Sequence, residues 1–361
     1  LDTTYGFDQM VTPSLGATDF LLGFFGDAPL SNLVTNTRLG RWLFPYLHGN
    51  RAAAKTYYPE TFVSMLDSEI RFDEPTFLAV HLTLAHWPYT WADSQTLASN
   101  GSALPLYEQA IARLDRQFAE VIKVLERKGA LDNAVVVVLS DHGESLGDPR
   151  NARAFPHSLD VPEYEEERLA GHGTSVFGKH QYKVLLAFRR FGAAAHTSNS
   201  ARIVDVPASL EDVAPTILDT LGIQTQDEFD GISLAGLIDG TNSHNLPSER
   251  IRFIETEFNP RDIAPNELMH TSALVDAASY YRVDPVSDRV EIRAERLEEI
   301  LNSRQYAALR RNKMVVAAPR KELKGPSSYS MFVVVDEGKP VELGSYADQH
   351  DPEVGELLQA L

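Results

Sequence analysis

An apolar run, Val135-Val136-Val137-Val138-Leu139, passes through Ser140 into Asp141-His142-Gly143-Glu144. A carboxylate and an imidazole side by side offer one hard oxygen and one nitrogen ligand, a pairing suited to Zn²⁺ or Mn²⁺. Gly143 would let the backbone turn sharply away, and Glu144 and Ser145 would enter a loop or helix. The same residues fit a capped turn, with Asp141 capping a helix start and His142 simply exposed. Spacing alone leaves the two readings level, because a two-residue pair is a weak motif. Two more histidines bear on the choice. His86 sits in HWPY just past an apolar run, and His172 sits in GHGTS just before another. Taken singly, each is most simply a loop histidine making one hydrogen bond. Three histidines at three strand ends suit a site for a phosphoryl or sulfuryl group, whose transition state spreads charge over several oxygens.

Such a site needs a sheet to position it. In open α/β sheets, ligands bind beyond the carboxyl ends of the strands. Thr76 to Leu84, Ala134 to Leu139 and Val184 to Phe188 are apolar enough to be buried strands. Ahead of the second lies LPLYEQAIARLDRQFAEVIKVLERKG, in which Tyr107, Ile111, Leu114, Phe118, Val121, Ile122 and Leu125 recur at three- and four-residue steps. That spacing predicts one long helix with a single buried stripe, ended by Lys128 and Gly129. Pro59 opens another helix, PETFVSMLDSEIRF. Ala208 to Ile223 reads as a third, with Ser209 and Asp212 at capping-box spacing, Gly222 as its stop, and Pro215 in its first turn or at a kink. A helix feeding a short apolar strand predicts an α/β fold with a mostly parallel sheet covered by helices on both faces. Residues up to about Tyr57 read as loops with short helices, and Pro149 to Leu169 as an inserted surface loop.

The character changes after about Gly240. IRFIETEF, YYRVDP, RVEIR, KMVVAAP and SYSMFVVVDE are short runs separated by turn formers, with AERLEEILNSRQYAALRRN as one helix among them and DPEVGELLQAL as a terminal helix. This predicts two domains: a core over 1–240, and a smaller antiparallel-sheet subdomain over 241–361.

Composition narrows the partners. With 33 Lys and Arg against 51 Asp and Glu, the formal charge is −18. A surface so acidic repels phosphate backbones, so nucleic acid is excluded as a partner. An anionic substrate would need local positive charge, such as a metal ion. There is no cysteine, hence no disulfide framework and no thiolate nucleophile or ligand. No run approaches the roughly 18 consecutive apolar residues of a spanning helix. The chain starts at Leu1 with neither Met nor leader, which reads as a processed or excised piece. No G-x-S-x-G occurs, so a serine hydrolase of the α/β-hydrolase type has no support.

Together, the helix–strand–SDHGESLGD unit, GHGTSVFGKHQYKVLL, ASLEDVAPTILDTLGI and DGISL resemble the sulfatase-like branch of the alkaline phosphatase superfamily over roughly Pro75 to Leu237. HLTLAHWPY is similar to that family's histidine-containing loop. DHGESLG followed by HG most resembles the phosphoglycerol and phosphoethanolamine transferases. The resemblance implies a divalent metal held by Asp141 and His142, with Zn²⁺ or Mn²⁺ favoured over Ca²⁺ or Mg²⁺. It implies His86 and His172 on the anionic group or the leaving group, and Lys179 as a further substrate contact, although a lone lysine is commonly a solvated charge. It also implies a small anionic ester or lipid head-group substrate, and an extracytoplasmic site with a membrane anchor outside this chain.

One departure shapes the expectation of function. Members of that family place an acidic ligand at a first strand end, then a Thr, Ser or Cys nucleophile, ahead of a segment resembling YGFD, which here is Tyr5 to Asp8. The nucleophile is therefore expected to be absent from this chain. The reading is a hydrolase or transferase of phosphate or sulfate esters, acting through a covalent intermediate on an upstream residue. The alternative is a non-catalytic binding or scaffold protein that keeps the fold.

Overall fold

The computed structural model describes residues 6–11, 34, 37–44, 59–86, 89, 91, 104–146, 170–173, 175–192, 201–238, 240, 249–256, 279–283, 290–319, 329–336, 340–345 and 351–361. The chain divides into two compact units, Leu1–Ala134 with Arg190–Ala195, and Val135–Arg189 with His196–Leu361. The boundary expected near Gly240 falls inside the second unit. The inserted loop expected from Pro149 to Leu169 lies outside the described residues.

The first unit is helical. A short helix α1 (Arg38–Leu43) starts at Thr37, whose hydroxyl accepts the Gly40 N–H at 2.9 Å. Helix α2 (Pro59–Glu69) packs against the long helix α3 (Leu104–Arg127). Arg127 reaches Asp67 at 2.9 Å, and Lys128 donates to the Ile70 carbonyl at 3.0 Å. The buried stripe of α3 is rotated from the predicted one. It runs through Ala110, Gln117, Val121, Val124 and Leu125, while Ile111 is 38% exposed. Helix α3 ends as predicted. Gly129 adopts φ +71°, its N–H bonds the Glu126 carbonyl, and the Ala130 N–H bonds that of Leu125. The strand expected over Thr76 to Leu84 does not form: that stretch is described, pairs with no ladder among the described residues, and leaves Phe77 72% exposed. Its apolar content suits a strand, but a strand exists only where a neighbour completes its hydrogen bonds.

In the second unit, β1 (Val135–Leu139) leads to the corner, followed by the two-residue strands β2 (Ser145–Leu146) and β3 (Ala170–Gly171), helix α4 (Lys179–Tyr182) and β4 (Leu186–Arg190). Strands β1 and β4 pair. At one end the Ser140 N–H bonds the Leu185 carbonyl at 3.1 Å, and at the other the Phe191 N–H bonds that of Ala134 at 2.8 Å. The early end of one strand thus meets the late end of the other, so the pair is antiparallel. The mostly parallel sheet expected is not what the described strands form. Runs of valine fit either arrangement, since burial on both faces and not strand direction selects them.

Helix α5 (Val213–Leu221) begins after a 3₁₀ turn, Leu210–Asp212, with Pro215 in its first turn, and stops at Gly222 with φ +68°. Asp212 is fully buried and satisfies four groups at once. One oxygen accepts the Ser209 N–H at 2.8 Å, the other accepts the Ile232 N–H at 2.8 Å and meets Arg250 at 2.6 Å, and its carbonyl takes the Thr216 hydroxyl at 2.5 Å. Thr216 in turn accepts the Leu234 N–H at 2.9 Å, just ahead of helix α6 (Ala235–Ile238). The DVAPT and DGISL segments are therefore one interlocked structural joint.

The rest of the unit is built on an antiparallel sheet of β5 (Arg252–Glu255), β8 (Tyr306–Arg310), β9 (Lys313–Pro319), β10 (Tyr329–Val335) and β11 (Val341–Glu342), in the order β11-β10-β9-β8-β5. Strands β6 (Tyr281–Val283) and β7 (Val290–Ile292) form a separate hairpin pair. Helix α7 (Leu297–Ser303) is shorter than predicted, and YAALR, read as its continuation, is instead strand β8. Alanine and leucine favour helices, yet here β5 and β9 flank the segment, and Ala307 and Ala308 are both fully buried. The register puts Ala307, Val316 and Phe332 in one row and Ala308, Val315 and Val333 in the next. Alternate rows face opposite sides. One side packs on Val176 and Phe177, and the other on Val354 and Leu357 of the terminal helix α8 (Pro352–Ala360).

Candidate functional site

The corner is set by backbone contacts. The Gly143 N–H bonds the Gln181 carbonyl of α4 at 2.8 Å. A Cβ at Gly143 would lie 2.1 Å from the His180 carbonyl oxygen and 2.6 Å from that of Lys183. Glycine is needed here for close approach, and not for the sharp turn expected from sequence. The Asp141 carboxylate is 75% exposed and accepts the His142 N–H at 3.0 Å. The Nδ1 of His142 lies 2.8 Å from the Gly143 carbonyl. A carbonyl only accepts, so Nδ1 carries a proton, and in the neutral ring Nε2 holds the lone pair. That Nε2 is 3.6 Å from Asp141 Oδ1. Two ligands of a tetrahedral cation with bonds of ~2.1 Å are about 3.4 Å apart, so these two atoms fit one divalent ion. Among the described residues no group of three or more His, Asp or Glu side chains converges to complete such a site.

The two-residue strands bring the second half of the motif in. Ser145 pairs with Gly171 and Leu146 with Ala170, antiparallel. One step further, Glu144 stands opposite His172. Its Oε2 lies 3.2 Å from His172 Nδ1, and the His172 ring stacks on that of His142 with centroids 3.8 Å apart and planes 19° from parallel. The Glu144 side chain is only 7% exposed, and its Oε1 has no hydrogen-bond partner among the described residues.

The loop after His172 is tied down from two sides. The Ser175 N–H bonds Gln181 Oε1 at 3.1 Å, and the Val176 N–H bonds Gln305 Oε1 at 3.1 Å. Phe177 inserts beneath and meets Phe332 edge-on, with centroids 5.8 Å apart. Gln181 thus serves both halves of the site: its carbonyl holds Gly143 and its side chain holds Ser175. Gln305 lies immediately before β8 and carries the antiparallel sheet's hold on the loop.

The structure therefore assembles Asp141, His142 and His172, and adds Glu144, for which the sequence suggests only a loop or helix position. Lys179 opens α4, two residues before Gln181. His86 belongs to the first unit, in a turn where its N–H bonds the Thr83 carbonyl and its carbonyl takes the Tyr89 N–H, both at 3.0 Å. Gln181 and Gln305 carry no motif that would single them out. Glu144 could have been found from the antiparallel pairing of ESL with AGH, had that two-residue ladder been foreseen.

The sulfatase family model matches residues 8–223. The chain belongs to the sulfatase family. It is 26% identical over 140 residues to an arylsulfatase of Clostridium perfringens, a match covering 38% of this chain and 24% of that protein. Among solved structures, it is similar to the phosphonate monoester hydrolase of Agrobacterium radiobacter, at 19% identity and TM-score 0.44, over 72% of this chain and 40% of that one. It is also similar to a protein of a glycosaminoglycan-metabolising core locus of Bacteroides thetaiotaomicron, at 15% identity and TM-score 0.49, over 84% of this chain and 57% of that one. The match thus spans about a quarter of the curated relative's length. No helix among the described residues is long and apolar enough to cross a membrane.

Proposed function

We propose that this chain supplies part of the active site of a metal-dependent hydrolase or transferase acting on a phosphate or sulfate ester. The supporting observation is the juxtaposition of the Asp141–His142 corner with His172, held by the β2–β3 ladder. Asp141 Oδ1 and His142 Nε2 would hold the cation, Zn²⁺ or Mn²⁺ by their chemistry. Once bound, that cation would offset the negative charge on the ester oxygens. His172 would contact the anionic group or exchange a proton with the leaving oxygen, and Lys179 would add positive charge. The covalent intermediate would form on an upstream residue outside this chain. The DHGESLG…HG pattern favours phosphoryl over sulfuryl esters, with a small ester or lipid head group as substrate and an extracytoplasmic location.

The test uses the complete protein with Asp141→Ala and His142→Ala, each alone and together. Bound metal is measured by elemental analysis, and turnover with 4-nitrophenyl phosphate, bis(4-nitrophenyl) phosphate and 4-nitrophenyl sulfate. Loss of both metal and turnover is the expected outcome. Retention of both in the double variant would overturn the assignment.

A further inference from the structure

We propose that Gln305 is a positioning residue of the ester site, whose side-chain carbonyl clamps the loop that carries His172. The inference rests on the reading of His172 as a member of that site. Gln305 lies 129 residues beyond Val176, yet its Oε1 accepts the Val176 N–H at 3.1 Å and the Ser175 hydroxyl at 3.4 Å. Ser175 Oγ in turn accepts the Phe177 N–H at 3.2 Å, and the Ser175 N–H goes to Gln181 Oε1 at 3.1 Å. Three consecutive backbone N–H groups, at 175, 176 and 177, are thus each met by a side-chain oxygen. All three residues are buried and none lies in a helix or strand, so their donors depend on side chains for partners.

The place of the clamp in the chain decides what it does. Before His172 the backbone is fixed at Gly171, paired with Ser145 in the β2–β3 ladder. After it the backbone is fixed at Ser175, and Gly173 turns between the two at φ +68°. Three residues reach at most about 10 Å, so a shift of the second anchor is carried to His172. The Gln305 end is rigid. Its N–H donates to Thr256 Oγ1 at 2.9 Å and its carbonyl accepts the Thr256 N–H at 3.0 Å, which extends the β5–β8 pairing by one residue pair. Phe177 keeps the loop seated through Phe332, so removing the acceptor should loosen the loop and not expel it. The antiparallel sheet then aims a site residue as well as supporting it, and a misplacement of about 1 Å can cost about a hundredfold in rate.

The experiment uses the complete protein with Gln305→Ala, with Gln305→Leu, which keeps the bulk without the acceptor, and with Gln305→Glu, which keeps an acceptor. Hydrogen exchange by mass spectrometry reads the amides of 175–177, and kcat and KM are measured with the three 4-nitrophenyl esters. Gln305→Ala and Gln305→Leu should speed exchange at 175–177 by about tenfold or more and lower kcat roughly ten- to a hundredfold with KM little changed. Gln305→Glu should restore both. Val354→Ala, buried on the other side of the sheet, controls for plain destabilisation: its urea midpoint should fall while kcat stays. Wild-type exchange or wild-type kcat in Gln305→Leu would overturn the proposal, and so would an equal loss of kcat in Val354→Ala. If Gln305→Ala does not fold, Gln305→Leu and Gln305→Glu decide. A wild-type protein that turns over none of the esters would defeat the functional reading itself, a failure distinct from that of the clamp, which exchange reads without turnover.

Discussion

Gly143→Ala is the sharpest probe of how the corner is built. The added methyl would sit 2.1 Å from the His180 carbonyl oxygen and 2.6 Å from that of Lys183. Carbon–oxygen contacts settle at about 3.3–3.6 Å, so the corner and α4 must part by about 1 Å. Neither obstacle is a side-chain tip that could swing aside. Both are backbone carbonyls, and the Lys183 N–H is itself bonded to the Lys179 carbonyl at 3.0 Å. Separation stretches the 2.8 Å bond from the Gly143 N–H to Gln181 out of range. Losing that bond costs about 0.5–1.5 kcal/mol, and overpacking strain adds about 1–3 kcal/mol. The expected loss is about 2–4 kcal/mol, read as a lower urea midpoint at unchanged slope. Gly355→Ala is the control. It lies within α8 with no atom within 4 Å of an added Cβ, so it should gain about 0.5–1 kcal/mol. A Gly143→Ala protein within about 0.5 kcal/mol of wild type would show that the corner does not depend on this approach.

Two other substitutions test the frame around the site. Asp212→Ala removes the carboxylate that serves Ser209, Ile232 and Arg250. Removing one partner of a buried ion pair costs about 3–5 kcal/mol; Arg250 keeps Glu211 at 3.6 Å, so the expected loss lies at the lower end of that range, and urea unfolding that shows under 1 kcal/mol would contradict the interlocked joint. Lys313→Met removes the ammonium that bonds Asp351 at 2.7 Å and Glu353 at 2.9 Å at the start of α8. The hydrogen bond from Lys313 holds the Asp351 carboxyl below the usual carboxylate range, and Asp351 with Glu353 holds the Lys313 ammonium above its own. A depressed carboxylate stabilises the fold above its unfolded pKa of ~3.9, and that contribution fades as pH falls through the lower folded value. A raised ammonium stabilises below its unfolded pKa of ~10.4, so at neutral pH both contributions are present. The deficit of Lys313→Met in urea unfolding should therefore be largest near pH 7 and shrink at pH 3 and below. An equal deficit at both would exclude the ion pair as its source.

What the sequence made legible is what depends on local pattern. Gly129 and Gly222 end their helices through left-handed conformations, and Ser209 with Asp212 opens the 3₁₀ turn before α5. Valine- and aromatic-rich runs after residue 250 became strands because their alternate rows bury on opposite sides. Where the sequence misled, a long-range partner decided. YAALR is a good helix by propensity, yet two neighbouring strands and a need for small side chains at Ala307 and Ala308 made it β8. Thr76 to Leu84 has strand composition without a paired ladder. Within the site, the types of Asp141, His142 and His172 announced themselves. Glu144, Gln181 and Gln305 did not, because their roles come from pairing and tethering across long stretches of chain.

The β2–β3 ladder has a topological consequence. Its two residue pairs close a stem between the DHGE motif and His172, and the chain from 147 to 169 enters and leaves through it. Closure entropy rises only slowly with the length of chain that a stem encloses, by about 0.6 kcal/mol per doubling. The register that sets Glu144 opposite His172 is fixed by the two described residue pairs. The pairing of Glu144 with His172 is thus set by the ladder itself and not by the length of chain that the ladder closes.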